Sequence, residues 1–184
     1  MGTVIGITGT PGTGKKSVAP LVASVLGLGL VSLPRLPGDA MSHETDESEI
    51  DTAKALRDTQ RSPPGNVVAY GHLLPYILPP RLVERIVVLR CDPMVLKGRL
   101  SRRGYSSRKI MDNVEAELIG VIATDAVSAF GRERTFELDT TTSSPVSAAK
   151  SVVRLVRGPR TAPHRIDWMP GYGSAPKLKV LLSP

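Results

Sequence analysis

The sequence predicts an α/β fold in which a parallel sheet is covered by helices on both faces. Three observations lead there. Short uncharged runs rich in β-branched residues alternate with stretches of helical periodicity, a glycine-rich turn joins the first run to the first helix, and 184 residues suit one domain with one sizeable core.

Thr3 to Thr8 is uncharged and mostly β-branched, as a strand buried on both faces should be. The run breaks at Gly9. From Ser17 to Leu26 the apolar residues Val18, Leu21, Val22, Val25 and Leu26 recur at three- and four-residue steps, which predicts a helix that Gly27 stops. A short strand is expected around Leu30 to Leu33. Composition then changes to "PRLPGDAMSHETDESEIDTAKALRDTQRSPPG", a polar insert framed by prolines and acidic at its centre. "NVVAYGH", "ERIVVLRCDP" and "RTFELDT" return to the strand pattern. "PMVLKGRLSRR" begins with a proline suited to a first helical turn, and Ile110, Val114, Leu118 and Val121 fall on one face of a further helix. Ser144 to Val156 closes the series, with Pro145 at its start. Beyond Arg157 the chain reads as a Gly/Pro-rich tail over residues 158 to 184 that carries the only tryptophan, Trp168. Its "KLKVLL" suits an added edge strand or a contact with a neighbour, and equally an unpaired, disordered end.

Aromatic residues make up 4% of the chain and the formal net charge is +7, a balance that favours acidic partners such as nucleotides, RNA or anionic surfaces. Scarce aromatics disfavour reading of single-stranded RNA by base stacking. The single cysteine, Cys91, excludes an internal disulfide framework and fits a reducing, cytoplasmic compartment. Lys15 and Lys16 followed by "SVAPLVASVLGLGLVSL" imitate a secretory signal, but Pro20, Gly27 and Gly29 interrupt the apolar run, and it is short for a membrane span. No membrane partner is expected.

"GTPGTGKKSV", residues 9 to 18, has the glycine and lysine spacing of a phosphate-binding loop, with a buried strand before it and a helix after it. Gly9, Gly12 and Gly14 let backbone N–H groups approach a polyphosphate, the helix adds its positive end, and Lys15 reaches the outer phosphates. Gly12, Gly14, Lys15, Lys16 and Ser17 are therefore the candidate nucleotide-binding residues. Lys16 stands where such loops supply the serine or threonine that coordinates Mg²⁺. Ser17 would replace it only if the helix start shifted by one residue.

Several segments together resemble the adenylate kinase isoenzyme 6 family, small P-loop kinases linked to small ribosomal subunit maturation. The resemblance spans most of residues 3 to 157. Its most specific stretch is "VVLRCDPMVLKGRLSRRGYSSRKIMDNVEAEL", in which Leu89, Arg90, Asp92, Arg99, Leu100, Arg103, Gly104, Tyr105, Lys109, Asp112, Asn113 and Glu117 match. "ELDTTTSSP" resembles the family's last strand and the turn into its final helix. The resemblance implies a three-layer P-loop kinase domain over residues 1 to 157 with a five-stranded parallel sheet. It also implies an AMP flap over about residues 32 to 55, a short lid over about residues 102 to 112, and transfer of the terminal phosphoryl of ATP to AMP with Mg²⁺. Arg103 matches the family's lid arginine. His72, just after the third strand, matches a histidine implicated in activity, so Lys15, His72 and Arg103 are the candidate catalytic residues. The implied partners are ATP and AMP, together with a small-subunit ribosomal protein and pre-ribosomal RNA.

Two departures bear on the metal. Tyr70 replaces an acidic residue that the family carries two positions before the histidine, and Lys16 replaces the hydroxyl. Asp92 and Asp139, near strand ends, are candidates to assist the metal, although before Pro93 a helix cap is the favoured use of Asp92. Arg35 and Arg57 are both candidate AMP contacts. Asp46, Glu47, Glu49 and Asp51 read as a solvated flap surface, and His43 and His164 as surface residues. Two rival functions stay open: a nucleotide-switch assembly factor without kinase activity, and a P-loop kinase acting on another small metabolite.

Overall fold

The computed structural model describes residues 4–33, 66–159 and 165–183. Five strands, β1 (Val4–Thr8), β2 (Gly29–Ser32), β3 (Val67–Tyr70), β4 (Val83–Arg90) and β5 (Thr135–Asp139), form one sheet in the order β2-β3-β1-β4-β5. All four pairings are parallel. Ile7 lies opposite Tyr70 on one side and Val87 on the other, so β1 sits at the centre of the sheet. That position buries all five of its residues and explains their uniformly uncharged character.

The side-chain alternation of the strands divides the core into two layers. On one face, Ile5, Ile7, Val68, Val87 and Phe136 pack against α1 (Lys15–Leu26) and α6 (Pro145–Arg157) through Val18, Val22, Ala148, Ala149 and Val152. On the other, Val4, Val67, Ala69, Ile86 and Val88 pack against α2 (Leu74–Ile77) and α5 (Val121–Phe130) through Leu74, Ala123, Ala126 and Phe130. The result is the three-layer α/β arrangement expected. Arg85 pins the far end of the sheet, its guanidinium donating to the carbonyls of Leu155 and Gly158 at 2.6 and 2.7 Å where α6 ends.

A third apolar cluster lies beyond β4. It joins α3 (Pro93–Ser101) and α4 (Ser107–Leu118) through Cys91, Leu96, Leu100, Ile110, Val114 and Leu118. The cluster also takes in Leu181, Trp168 and Tyr172 from the chain end, where α7 (Met169–Tyr172) and α8 (Ala175–Leu182) lie. "KLKVLL" is thus helical and adds no strand to the sheet. Leu178, Leu181 and Leu182 recur at helical steps, and packing them on α3 and α4 buries Leu181 completely.

A second correction concerns Val121, which does not continue the face of Ile110, Val114 and Leu118. Gly120, at φ 72°, ends the turn after α4, and Val121 opens a separate helix. Where the resemblance implies a lid, the chain makes a tight turn over residues 102–106 followed by the first turns of α4, with Arg103 N–H donating to Leu100 O and Gly104 N–H to Ser101 O. The flap from residue 34 onward, Arg35, Arg57, His43, His164 and the acidic run all lie outside the described residues. Among the described residues, no helix is long and apolar enough to cross a membrane.

Candidate functional site

The loop between β1 and α1 folds as its glycines require. Gly9, Gly12 and Gly14 have φ of 139°, 98° and 102°. A Cβ on Gly9 would lie 2.3 Å from the Leu89 carbonyl oxygen, and one on Gly12 would lie 2.6 Å from Leu96 Cδ1. Two threonines fix the turn: Thr13 Oγ1 donates to Thr10 O at 2.9 Å, and Thr140 Oγ1 donates to Thr13 O at 3.0 Å. Helix α1 starts at Lys15, and its first bond from the loop side is Ser17 N–H to Gly14 O at 3.0 Å. Its cap, Gly14, offers no side chain, and its first turn holds no acidic residue, so the positive end of the helix faces the loop uncompensated.

Lys15 is half-buried, and its Nζ donates to Gly9 O at 2.6 Å and Thr10 O at 3.0 Å. Burial of the ammonium lowers its pKa from 10.5 to about 7; Glu117 opposes that shift and Arg103 adds to it. Arg103 and Lys15 are therefore within electrostatic reach of each other. Arg103 is exposed in the turn after α3, as are Arg102 and Arg108 nearby. Lys16 and Ser17 are exposed on the first turn of α1. His72 is half-buried in the turn between β3 and α2. Because β3 pairs with β1, that turn follows the strand beside the loop, at the carboxyl edge where open α/β sheets take ligands.

The residue that organises this region is Glu117, to which the sequence reading gave no role. It is 1% exposed and accepts hydrogen bonds from Thr10 Oγ1 at 2.5 Å, Arg90 Nε at 2.7 Å, Cys91 N–H at 3.0 Å and Trp168 Nε1 at 3.2 Å. Arg90, 2% exposed, also donates to Glu137 Oε2 at 2.5 Å and to the carbonyls of Glu117 and Ile166. A signal for both exists in the sequence. Glu117 falls on the same helix face as Ile110 and Val114, and Arg90 interrupts an apolar strand; a charge in such a place needs a buried partner.

Asp92 caps α3, accepting from Met94 N–H at 2.9 Å and Val95 N–H at 3.2 Å. It also accepts from Tyr172 Oη, whose own pKa burial and this bond push up to about 12. Asp139 accepts from Thr141 N–H and Thr141 Oγ1 within its own turn. The Mg²⁺ implied by the family finds a poor donor set. Lys16 presents an ammonium, which cannot coordinate a cation, and Tyr70 packs against the apolar layer under α1. Lys16 and Tyr70 thus supply neither the hydroxyl nor the carboxylate that the family pattern has at these two positions.

Residues 5–120 match the AAA domain family. The chain is 35% identical, over 97% of its length and 98% of the relative's, to a "Putative adenylate kinase" of Thermococcus onnurineus. It is also 35% identical, over 92% of its length and 93% of the relative's, to a protein of the same description from Pyrococcus abyssi. Its fold is similar to that of a shikimate kinase from Acinetobacter baumannii solved with shikimate, at TM-score 0.57 and 14% identity over 85% of this chain and 93% of that one. It is similar too to the YorR protein of Bacillus subtilis solved with phosphorylated GDP, at TM-score 0.56 and 21% identity over 84% and 95% of the two chains. At those identities the structural likeness speaks to the fold, whereas the archaeal relatives share the sequence along nearly its whole length. With its glycine loop and parallel sheet, the chain belongs to the small adenylate-kinase-like P-loop family of these archaeal proteins.

Proposed function

We propose that the chain transfers the terminal phosphoryl group of ATP to AMP, giving two molecules of ADP. The observation that carries this reading is the seat of Lys15, an ammonium held at the Gly9 and Thr10 carbonyls beside an uncompensated helix end and in reach of Arg103. Transfer breaks the bond from the γ-phosphorus to its bridging oxygen and forms one to an oxygen of the AMP phosphate. The protein makes no covalent bond, so its work is alignment and charge neutralisation. Loop amides around Gly12, Gly14, Lys16 and Ser17 hold the polyphosphate, Lys15 offsets its outer charge, and Arg103 closes over the transferring group with the lid turn. His72 serves the acceptor side at the end of β3.

Residues 1 to 157 carry the reaction in this reading, in the cytoplasm, where buried, free Cys91 stays reduced. With Lys16 and Tyr70 at the metal positions, Mg²⁺ dependence is weaker than the family pattern implies. A coupled assay for ADP, with Mg²⁺ and with Mn²⁺, tests the proposal. ADP formation requiring both ATP and AMP is expected, and its absence with either metal overturns the kinase reading.

A second reading is motivated by the exposed Arg102, Arg103 and Arg108 and the +7 charge: a nucleotide-switch assembly factor for a small-subunit ribosomal protein and pre-ribosomal RNA. Ligand stabilisation separates the two. A diadenosine bisubstrate analogue that raises the Tm more than ATP alone favours the kinase; an equal response favours the switch.

A further inference from the structure

Glu117 gathers donors from three distant parts of the chain: the loop at Thr10, the end of β4 at Arg90 and Cys91, and the terminal segment at Trp168. A buried carboxylate so surrounded is rigid, because moving one donor leaves charge or N–H groups without a partner in a low-dielectric place.

The terminal segment is tied to the same elements independently of Trp168. Arg90 Nη1 donates to Ile166 O at 3.1 Å, and Ile166 N–H donates to Glu137 Oε2 at 3.3 Å. Tyr172 Oη donates to Asp92 at 2.7 Å. Lys97 Nζ donates to the carbonyls of Leu181 and Ser183 at 3.1 and 2.5 Å, and Leu181 fills the cluster beneath. On the other side of Glu117, Thr10 is a loop residue whose own carbonyl accepts from Lys15 Nζ. Lys15, Thr10, Glu117 and Trp168 thus form one continuous hydrogen-bonded chain. An anion that draws the Lys15 ammonium toward itself changes what Thr10 holds, and Thr10 is bound to the carboxylate that holds the indole.

We propose that Glu117 is a positioning residue that couples anion binding in the loop to the docking of residues 165–183, through Thr10 and Trp168. The inference rests on the reading that the loop binds ATP. Coupling of this kind is reciprocal, so the docked segment raises ATP affinity by the same factor by which ATP steadies the segment.

Trp168 is the only tryptophan, so its emission reports the coupling directly in the full chain. ATP is titrated while Trp168 emission is followed, with calorimetry in parallel. A saturable emission change with the calorimetric Kd is expected. Trp168→Phe, which keeps a ring but removes the N–H, is expected to weaken ATP binding about fivefold or more. Thr10→Val, which cuts the same link at its loop end, is expected to weaken ATP binding by a similar factor and to lose the emission change. Calorimetric binding of ATP with flat Trp168 emission and an unchanged Kd in Trp168→Phe would overturn the coupling alone. Absence of ATP binding in the calorimeter would overturn the functional reading as well. Should Trp168→Phe not fold, the titration of the unaltered chain decides.

Discussion

Arg90 Nε donates to Glu117 Oε1 at 2.7 Å where both side chains are almost inaccessible, and the same guanidinium binds Glu137 at 2.5 Å. Arg90 is therefore the buried cation that two buried carboxylates share, with Arg165 approaching Glu137 at 3.8 Å from the exposed side. Removing it strands negative charge without water. Arg90→Met is expected to destabilise the fold by about 3–5 kcal/mol in denaturant unfolding. A loss below about 1 kcal/mol would place this pair among surface-type ion pairs.

The lowered pKa of Lys15 gives the free protein a distinct pH response. Its folded value is about 7 against an ordinary 10.5, so between those values the unfolded chain binds more protons and stability rises with pH. Below about pH 7 both states carry the proton, and the folded state bears the full cost of a buried ammonium. A bound polyphosphate reverses the preference by favouring the charged form. Above pH 7, ATP binding should therefore take up a proton, with affinity falling by up to about tenfold per pH unit. Calorimetry at pH 8 in two buffers of different ionisation enthalpy measures the uptake. Zero uptake would contradict the assignment of Lys15 as phosphate ligand.

Gly9 is the loop position with least room. Its φ of 139° disfavours any L side chain, and a Cβ would meet the Leu89 carbonyl on β4, which cannot turn aside. Gly9→Ala is expected to destabilise the protein by more than about 1 kcal/mol and to abolish saturable ATP binding. Thermal melts with and without ATP check both effects.

At Lys16 the expectation concerns the metal. ATP should bind the unaltered chain with nearly the same Kd in EDTA as in Mg²⁺, because an ammonium stands where a coordinating hydroxyl would be. In Lys16→Thr, adding Mg²⁺ should tighten ATP about tenfold, close to 1.4 kcal/mol. A strong Mg²⁺ response already present in the unaltered chain would show that Ser17 or another donor serves the metal.

Much of the sheet and the loop was legible before any coordinates, since period-two and period-3.6 patterns report burial directly. Thr3 to Thr8, "NVVAYGH" and "ERIVVLRCDP" all contain strands where the pattern placed them, and Asp92 followed by Pro93 is a helix cap in the structure as its residue types suggested. What escaped depends on contacts between distant residues. Thr10 and Glu117 are 107 positions apart, and no local pattern pairs them. A short apolar hexamer leaves an edge strand, a contact with a neighbour and an unpaired end all open; its helix exists through packing on α3 and α4, with Leu181 as the buried anchor. Gly120 separates two helices whose apolar spacing runs on through it, because a single positive φ outweighs a periodicity that a strand of text cannot interrupt.

Calorimetric titration of ATP into the unaltered chain and into Lys15→Met is the most direct test of polyphosphate binding by the loop after β1. Saturable binding in the first and its loss, or a weakening of about a hundredfold (2.7 kcal/mol), in the second is the expected result. Equal affinity in both proteins, or no binding in either at millimolar ATP, would contradict it.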